Sequence, residues 1–164
     1  GALAASLAAF NRNSALLSWG RLRLPAWSIG DGHGYHPRTF GALVDEPVRR
    51  LTGRTLGEFW HREIATPLGL EFWIGLPETE WPRVARLYPG KRGNDDLADA
   101  FYKHLTASGS FTRRAFSSPH GLYAVQDMNE STAWAAALPS LGGLGTASAI
   151  ARFYQAAIGA IDSP

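Results

Sequence analysis

A helical pattern of apolar residues, followed at once by a second helix start, constrains the fold most. Between residues 40 and 51 apolar side chains recur mostly at spacings of three and four, which predicts an amphipathic helix. Gly53 stands where such a helix ends, whereas Pro47 is expected to kink the helix or end it early because it lacks a backbone donor. Directly afterwards Thr55-Leu56-Gly57-Glu58 fits a capping box, which predicts a second helix.

The flanking segments predict further short elements. The Ala-rich residues 2–10 predict a helix, and Thr66-Pro67 is expected to end the helix that begins after Thr55. Residues 68–77, rich in aromatic side chains and bounded by Gly and Pro, predict a turn and a short strand. The loop that follows, residues 77–94, is expected to carry one helical turn.

The second half of the chain also favours helices. Asn94 can cap a helix over residues 95–105, whereas residues 106–128 lack a clear period. Residues 130–138 predict a short helix and residues 139–145 a tight Gly-rich turn, after which Thr146 can cap a last helix. The 164 residues therefore predict a single mostly helical domain over residues 1–164, or an excerpt of a larger protein, with long loops and one short strand region.

Composition excludes several classes of function. The net charge is only +2 and the basic residues are scattered, so no nucleic-acid partner is expected. No apolar run approaches the roughly 20 residues of a membrane-spanning helix, and the first residues lack the basic region of a signal peptide, which favours a cytoplasmic location. The chain has no cysteine, so a thiol nucleophile and a Cys-ligated metal are excluded.

Three patterns could suggest a metal or a phosphate, but each has a simpler interpretation. Asp31, His33 and His36 lie close together without a strong zinc spacing, and both histidines are interpreted as structural. Glu58 and His61 form one E-x-x-H, where a di-iron bundle needs two, so a capping Glu and an exposed His are favoured. The glycines of residues 142–145 lack the P-loop lysine. No metal and no cofactor are expected.

Common nucleophile motifs are missing from the sequence. It contains no G-x-S-x-G. It contains no S-x-x-K either, because Tyr88 and Ala100 stand three residues before Lys91 and Lys103. The tryptophans are interpreted as core or pocket wall rather than as specific ligand contacts, and those considered are Trp27, Trp60, Trp73, Trp81 and Trp134.

A family resemblance changes how Tyr35 is interpreted. Residues 32–87 read GHGYHPRTFGALVDEPVRRLTGRTLGEFWHREIATPLGLEFWIGLPETEWPRVARL, and residues 128–158 read MNESTAWAAALPSLGGLGTASAIARFYQAAI. These segments resemble the serine β-lactamase-like esterases, a group related to class C β-lactamases, penicillin-binding proteins and family VIII carboxylesterases. The resemblance implies the helical domain of the β-lactamase/transpeptidase-like fold, with the α/β domain missing from this chain.

The resemblance also implies a catalytic role for Tyr35. In that family a serine and a lysine in S-x-x-K lie upstream of a tyrosine that shuttles a proton during acyl-enzyme chemistry. Tyr35 is the matching position here, and the phenol of tyrosine, which titrates near about 10 in water, needs a lysine cation to act as a base. The serine, the lysine and the third family motif lie outside this chain, so the chain alone is expected to be inactive.

One departure from the family pattern concerns the substrate. The family's Y-x-N-like motif has an amide side chain where this chain has Pro37. Because proline cannot bind a substrate amide through its side chain, a small ester is favoured over a β-lactam. The alternative is a non-catalytic helical binding or scaffold module that has kept the fold.

Overall fold

The structure is a computed structural model that describes residues 28, 30–35, 37–90, 96–117 and 125–162. Within these ranges the chain is mainly α, as the sequence predicts. The elements, in chain order, are α1 (Phe40–Thr52), α2 (Leu56–Phe59), a π-helical turn (Trp60–Ala65), α3 (Thr66–Leu68), β1 (Phe72–Ile74), a first 3₁₀-helix (Glu78–Arg83), α4 (Asp96–Thr106), α5 (Phe111–Phe116), a second 3₁₀-helix (Asp127–Asn129), α6 (Ser131–Ala135), β2 (Gly143–Gly145) and α7 (Ala147–Ala157).

Some sequence predictions lie outside the described residues. These are the helix over residues 2–10, the cap at Asn94, Trp27 and the side chain of His36. Among the described helices, none has the combination of length and apolar character that crossing a membrane requires.

Helix α1 continues through Pro47 to Thr52, so the prediction that it ends early there is wrong. Proline removes one backbone donor, and ion pairs link the residue before it to residues after it. Glu46, just before the proline, accepts hydrogen bonds from Arg49 and Arg50, just after it. The helix ends as predicted at Gly53, whose φ of 73° is left-handed and favours glycine.

The capping box at the start of α2 is confirmed, but the helical segment ends later than predicted. Thr55 Oγ1 accepts the backbone N–H of Glu58 at 3.2 Å, and the Glu58 carboxylate accepts the backbone N–H of Thr55 at 2.8 Å. The chain stays helical through the π-helical turn and α3, and it stops at Gly69 with φ 61°. Pro67 lies two residues before this stop, so the helical segment passes through it.

The predicted strand is confirmed as β1, and the Gly-rich segment predicted as a turn is its partner strand. β2 pairs antiparallel with β1, with Trp73 opposite Leu144. A Cβ at Gly143 would lie 2.7 Å from the Phe72 ring, closer than carbon atoms can approach. The glycines in β2 therefore allow the strand to lie against Phe72, which a turn prediction from composition does not anticipate.

Sequence predictions for the second half of the chain can also be compared with the structure. Helix α5 lies in the region without a clear period, and its signal is the cap at Ser110, whose Oγ accepts the N–H of Arg113 at 3.1 Å. Helices α6 and α7 are confirmed, and Thr146 caps α7 by accepting the N–H of Ala149 at 3.2 Å.

The larger core cluster joins α7 to the helical segment before β1. The Trp60 ring lies 5.6 Å from the Phe72 ring and 5.0 Å from the Phe153 ring, both in edge-to-face geometry. Its indole N–H donates to the Phe72 carbonyl at 2.9 Å. The buried residues of this cluster are Ala65, Leu68, Leu70, Ala149 and Ala156. Trp60 is therefore a core residue, as the sequence predicts.

Glu46 is expected to make stability depend on pH. Hydrogen bonds from Arg49 and Arg50 hold the pKa of the Glu46 carboxyl below its ordinary value. The unfolded chain therefore takes up this proton at a higher pH than the folded chain, so the stabilisation exists near neutrality and is lost as the pH falls through the lowered pKa. We expect Glu46→Gln to lower the urea midpoint at neutral pH, and the difference from wild type to shrink below about pH 4. Glu78→Gln, at an exposed glutamate, is the control; an equal loss for Glu46→Gln at both pH values would contradict the interpretation.

Candidate active site

Tyr35 lies in the segment that leads into α1. Its side chain is 80% exposed, so the phenol is accessible to a reactant. Its ring centroid is 6.5 Å from that of Phe116, with 56° between the ring planes. Tyr35 therefore presents an exposed hydroxyl while its ring contacts the ring of Phe116.

Phe116 belongs to an aromatic cluster that we define as Tyr35, Phe101, Tyr102 and Phe116. The rings of Phe101 and Phe116 are 5.3 Å apart and those of Phe101 and Tyr102 are 5.6 Å apart, both edge-to-face. Phe101 and Tyr102 lie on α4 and Phe116 lies on α5. Tyr35 contacts this pair of helices through Phe116. The sequence analysis did not group these residues, because they lie on separate elements.

The start of α1 is fixed by a close approach to the turn before β2. The Gly41 N–H donates to Ser140 Oγ at 2.5 Å, across a sequence separation of 99 residues. A Cβ at Gly41 would overlap the backbone of Pro139 and Ser140, so glycine is required for this approach. The segment that carries Tyr35 is therefore attached at its C-terminal end to the last third of the chain.

The residues considered for a metal are not brought together by the described part of the chain. Asp31 and His33 are exposed, and no group of three or more metal-ligating side chains occurs among the described residues. The Glu58 carboxylate serves the capping box, and the Thr55 backbone N–H is the main cause that lowers the pKa of Glu58. His61 is exposed. The interpretation of Glu58 as a capping residue is thus confirmed.

A cavity of about 380 Å³ opens beside β2. Its volume lies in the range of small-molecule sites. Trp73 and Trp134 are part of its wall, which confirms their interpretation as pocket-wall residues. The Trp81 ring lies 6.2 Å from that of Trp134, in edge-to-face geometry.

The comparison with protein families agrees with this architecture. The family model of the Beta-lactamase domain matches residues 5–163, nearly the whole chain. The chain belongs to the β-lactamase family, which confirms the resemblance found in its sequence.

Relatives within the family place the chain inside a larger fold. It is 30% identical over 125 residues to the esterase/beta-lactamase LipL of Mycobacterium tuberculosis, which covers 74% of this chain and 29% of the relative. The structure of EstA from Arthrobacter nitroguajacolicus is similar with a TM-score of 0.62 and 31% identity, over 92% of this chain and 38% of EstA. A penicillin-binding protein homologue from Caulobacter crescentus gives 0.60 and 35%, over 82% of this chain and 33% of the homologue. The chain thus spans about a third of each relative.

Proposed function

We propose that this chain is a segment of a serine hydrolase that cleaves small esters through an acyl-enzyme, with Tyr35 as the proton shuttle. The observation that carries the proposal is the exposed phenol of Tyr35, in the segment that leads into α1, with its ring in contact with Phe116. Membership of the β-lactamase family and the esterases among the relatives support the reaction class.

The proposed chemistry needs groups that other parts of the protein supply. A serine hydroxyl attacks the ester carbonyl, its proton passes to the tyrosine oxygen, and the same oxygen returns a proton to the leaving alcohol. The sequence contains no S-x-x-K to provide that serine and an activating lysine. The chain alone is therefore proposed to be inactive, and activity to belong to a protein that combines it with these residues.

Pro37 supports esters as the substrate class. It lies two residues after Tyr35 and is partly buried, where the family pattern has an amide side chain. An amide can both donate and accept hydrogen bonds, whereas the proline ring can do neither. Loss of this contact weakens recognition of a substrate that carries an amide group more than recognition of a simple ester, which has no amide to bind.

The test is hydrolysis by the full-length protein that contains this chain. We expect it to cleave p-nitrophenyl acetate and butyrate much faster than a chromogenic cephalosporin, and the isolated 164-residue chain to cleave neither. Faster turnover of the cephalosporin would contradict the ester preference. A full-length protein without S-x-x-K and without esterase activity would instead support the non-catalytic module.

Phe116 is expected to position Tyr35. Because an aromatic pair contributes about 0.5–1.5 kcal/mol, Phe116→Ala should lower kcat for p-nitrophenyl butyrate by about two- to tenfold with little change in KM. Phe111→Ala on the same helix is the matched control, since the Phe111 ring lies against Arg114. Recovery of kcat by Phe116→Tyr would separate loss of the ring from damage to the fold, and equal effects of Phe111→Ala and Phe116→Ala would contradict a specific role.

A further inference from the structure

The cavity beside β2 has an apolar wall built from separate segments. Trp73 and Leu144 stand opposite each other on paired strands, so their side chains share one face of the small sheet. Met128 and Trp134 complete the wall from the second 3₁₀-helix and α6. Such a wall favours an apolar group, because burial of about one CH₂ contributes roughly 0.8 kcal/mol.

The charged side chains that line the cavity neutralise each other. They are Glu80 and Arg83, which are joined at 2.6 Å. Arg83 is also bound to Glu71 at 2.8 Å, and these two carboxylates raise the pKa of Arg83. The guanidinium is thus paired on two sides, so an anionic ligand gains little from it.

Two further polar groups of the wall, on Trp134 and Thr146, are also engaged. The Trp134 indole N–H donates to the Met128 carbonyl at 2.8 Å. The Thr146 hydroxyl accepts the Ala149 N–H and lies 3.0 Å from the Ser148 hydroxyl. The lining therefore matches a neutral, apolar ligand better than a polar one.

The cavity is connected to the Tyr35 segment through one turn. Leu141 and Gly142 line the cavity directly after Ser140. Ser140 Oγ accepts the N–H of Gly41, at the start of the helix that follows Tyr35. We propose that the cavity binds the apolar part of the ester, in its acyl chain or its alcohol. This inference rests on the proposed esterase function and names a specificity site for it.

The inference is tested with a substitution that narrows the cavity. Ala85 is exposed and lines the cavity, so Ala85→Phe adds volume there without disturbing the core. Ala151→Phe, at an exposed position of α7 outside the cavity, is the matched control. Two substrate series are compared in the full-length protein: p-nitrophenyl acetate against hexanoate for the acyl side, and methyl against hexyl acetate for the alcohol side.

In wild type we expect kcat/KM to rise with chain length in one series, by up to about fourfold per methylene group. Ala85→Phe should lower the long-to-short ratio in that series by about tenfold, and Ala151→Phe should leave it unchanged. The series that responds identifies the acyl or the alcohol side. An unchanged ratio in both series, or an equal fall for every substrate, would overturn the inference.

A binding measurement separates this site from the proposed function. Hexyl methyl ketone is a neutral probe that cannot be hydrolysed, and calorimetry with the full-length protein should show binding that Ala85→Phe weakens at least about tenfold. If wild type cleaves no ester but binds the ketone in this way, the esterase proposal fails while the apolar site stands. Ester cleavage without ketone binding would overturn the site and leave the esterase proposal intact.

Discussion

Tyr35→Phe in the full-length protein is expected to lower kcat/KM for p-nitrophenyl butyrate by about 10²- to 10⁴-fold, the usual contribution of a general acid–base group. The change removes only the hydroxyl and keeps the ring that contacts Phe116. Because Tyr35 is 80% exposed, its hydroxyl contributes little to folding, so the thermal midpoint should stay the same. The measurement is steady-state hydrolysis followed at the nitrophenolate absorbance.

Tyr88→Phe is the matched control for this prediction. Tyr88 is similarly exposed, at 76%, and lies on the loop after the first 3₁₀-helix. Its hydroxyl should be dispensable for turnover. If Tyr35→Phe and Tyr88→Phe both retain wild-type kcat/KM, the shuttle role of Tyr35 is wrong and the esterase needs a different base.

Trp60→Ala is expected to lower the free energy of unfolding by about 3–5 kcal/mol. The substitution leaves a cavity between Phe72 and Phe153 and removes the hydrogen bond to the Phe72 carbonyl. That carbonyl belongs to β1, so the strand pair should loosen together with the contact to α7. Urea denaturation followed by circular dichroism measures the change.

Tyr88→Ala serves as the comparison for Trp60→Ala, because it truncates an exposed aromatic side chain. Its effect should stay within about 0.5 kcal/mol. A loss below about 1 kcal/mol for Trp60→Ala would show that the larger core cluster does not depend on the indole ring.

The sequence predicted the elements whose signals are local. The capping box at Thr55, the cap at Thr146 and the glycine stop at Gly53 all act within one helical turn, and each is confirmed. The aromatic segment before Gly75 likewise predicted β1, because aromatic and branched residues fit a pleated surface.

The remaining features depend on partners distant in the sequence. Gly143 and Gly145 are turn residues by composition, and only their pairing with β1 makes them a strand. Pro47 was expected to kink α1 or end it early, and the helix continues to Thr52. The contact between Tyr35 and Phe116 joins segments that share no local pattern. The proposed role of Tyr35 rests on family resemblance rather than on its surroundings.

The bond between Gly41 and Ser140 also sets an order of events during synthesis. Its partners are 99 residues apart, so this contact cannot form until Ser140 has left the ribosome. At about 5–20 residues per second, that delay is on the order of 5–20 seconds. For that interval the newly made Tyr35 segment lacks this hydrogen bond. A translational pause before Ser140 would therefore prolong the stage at which chaperones and proteases can reach the Tyr35 segment without this contact.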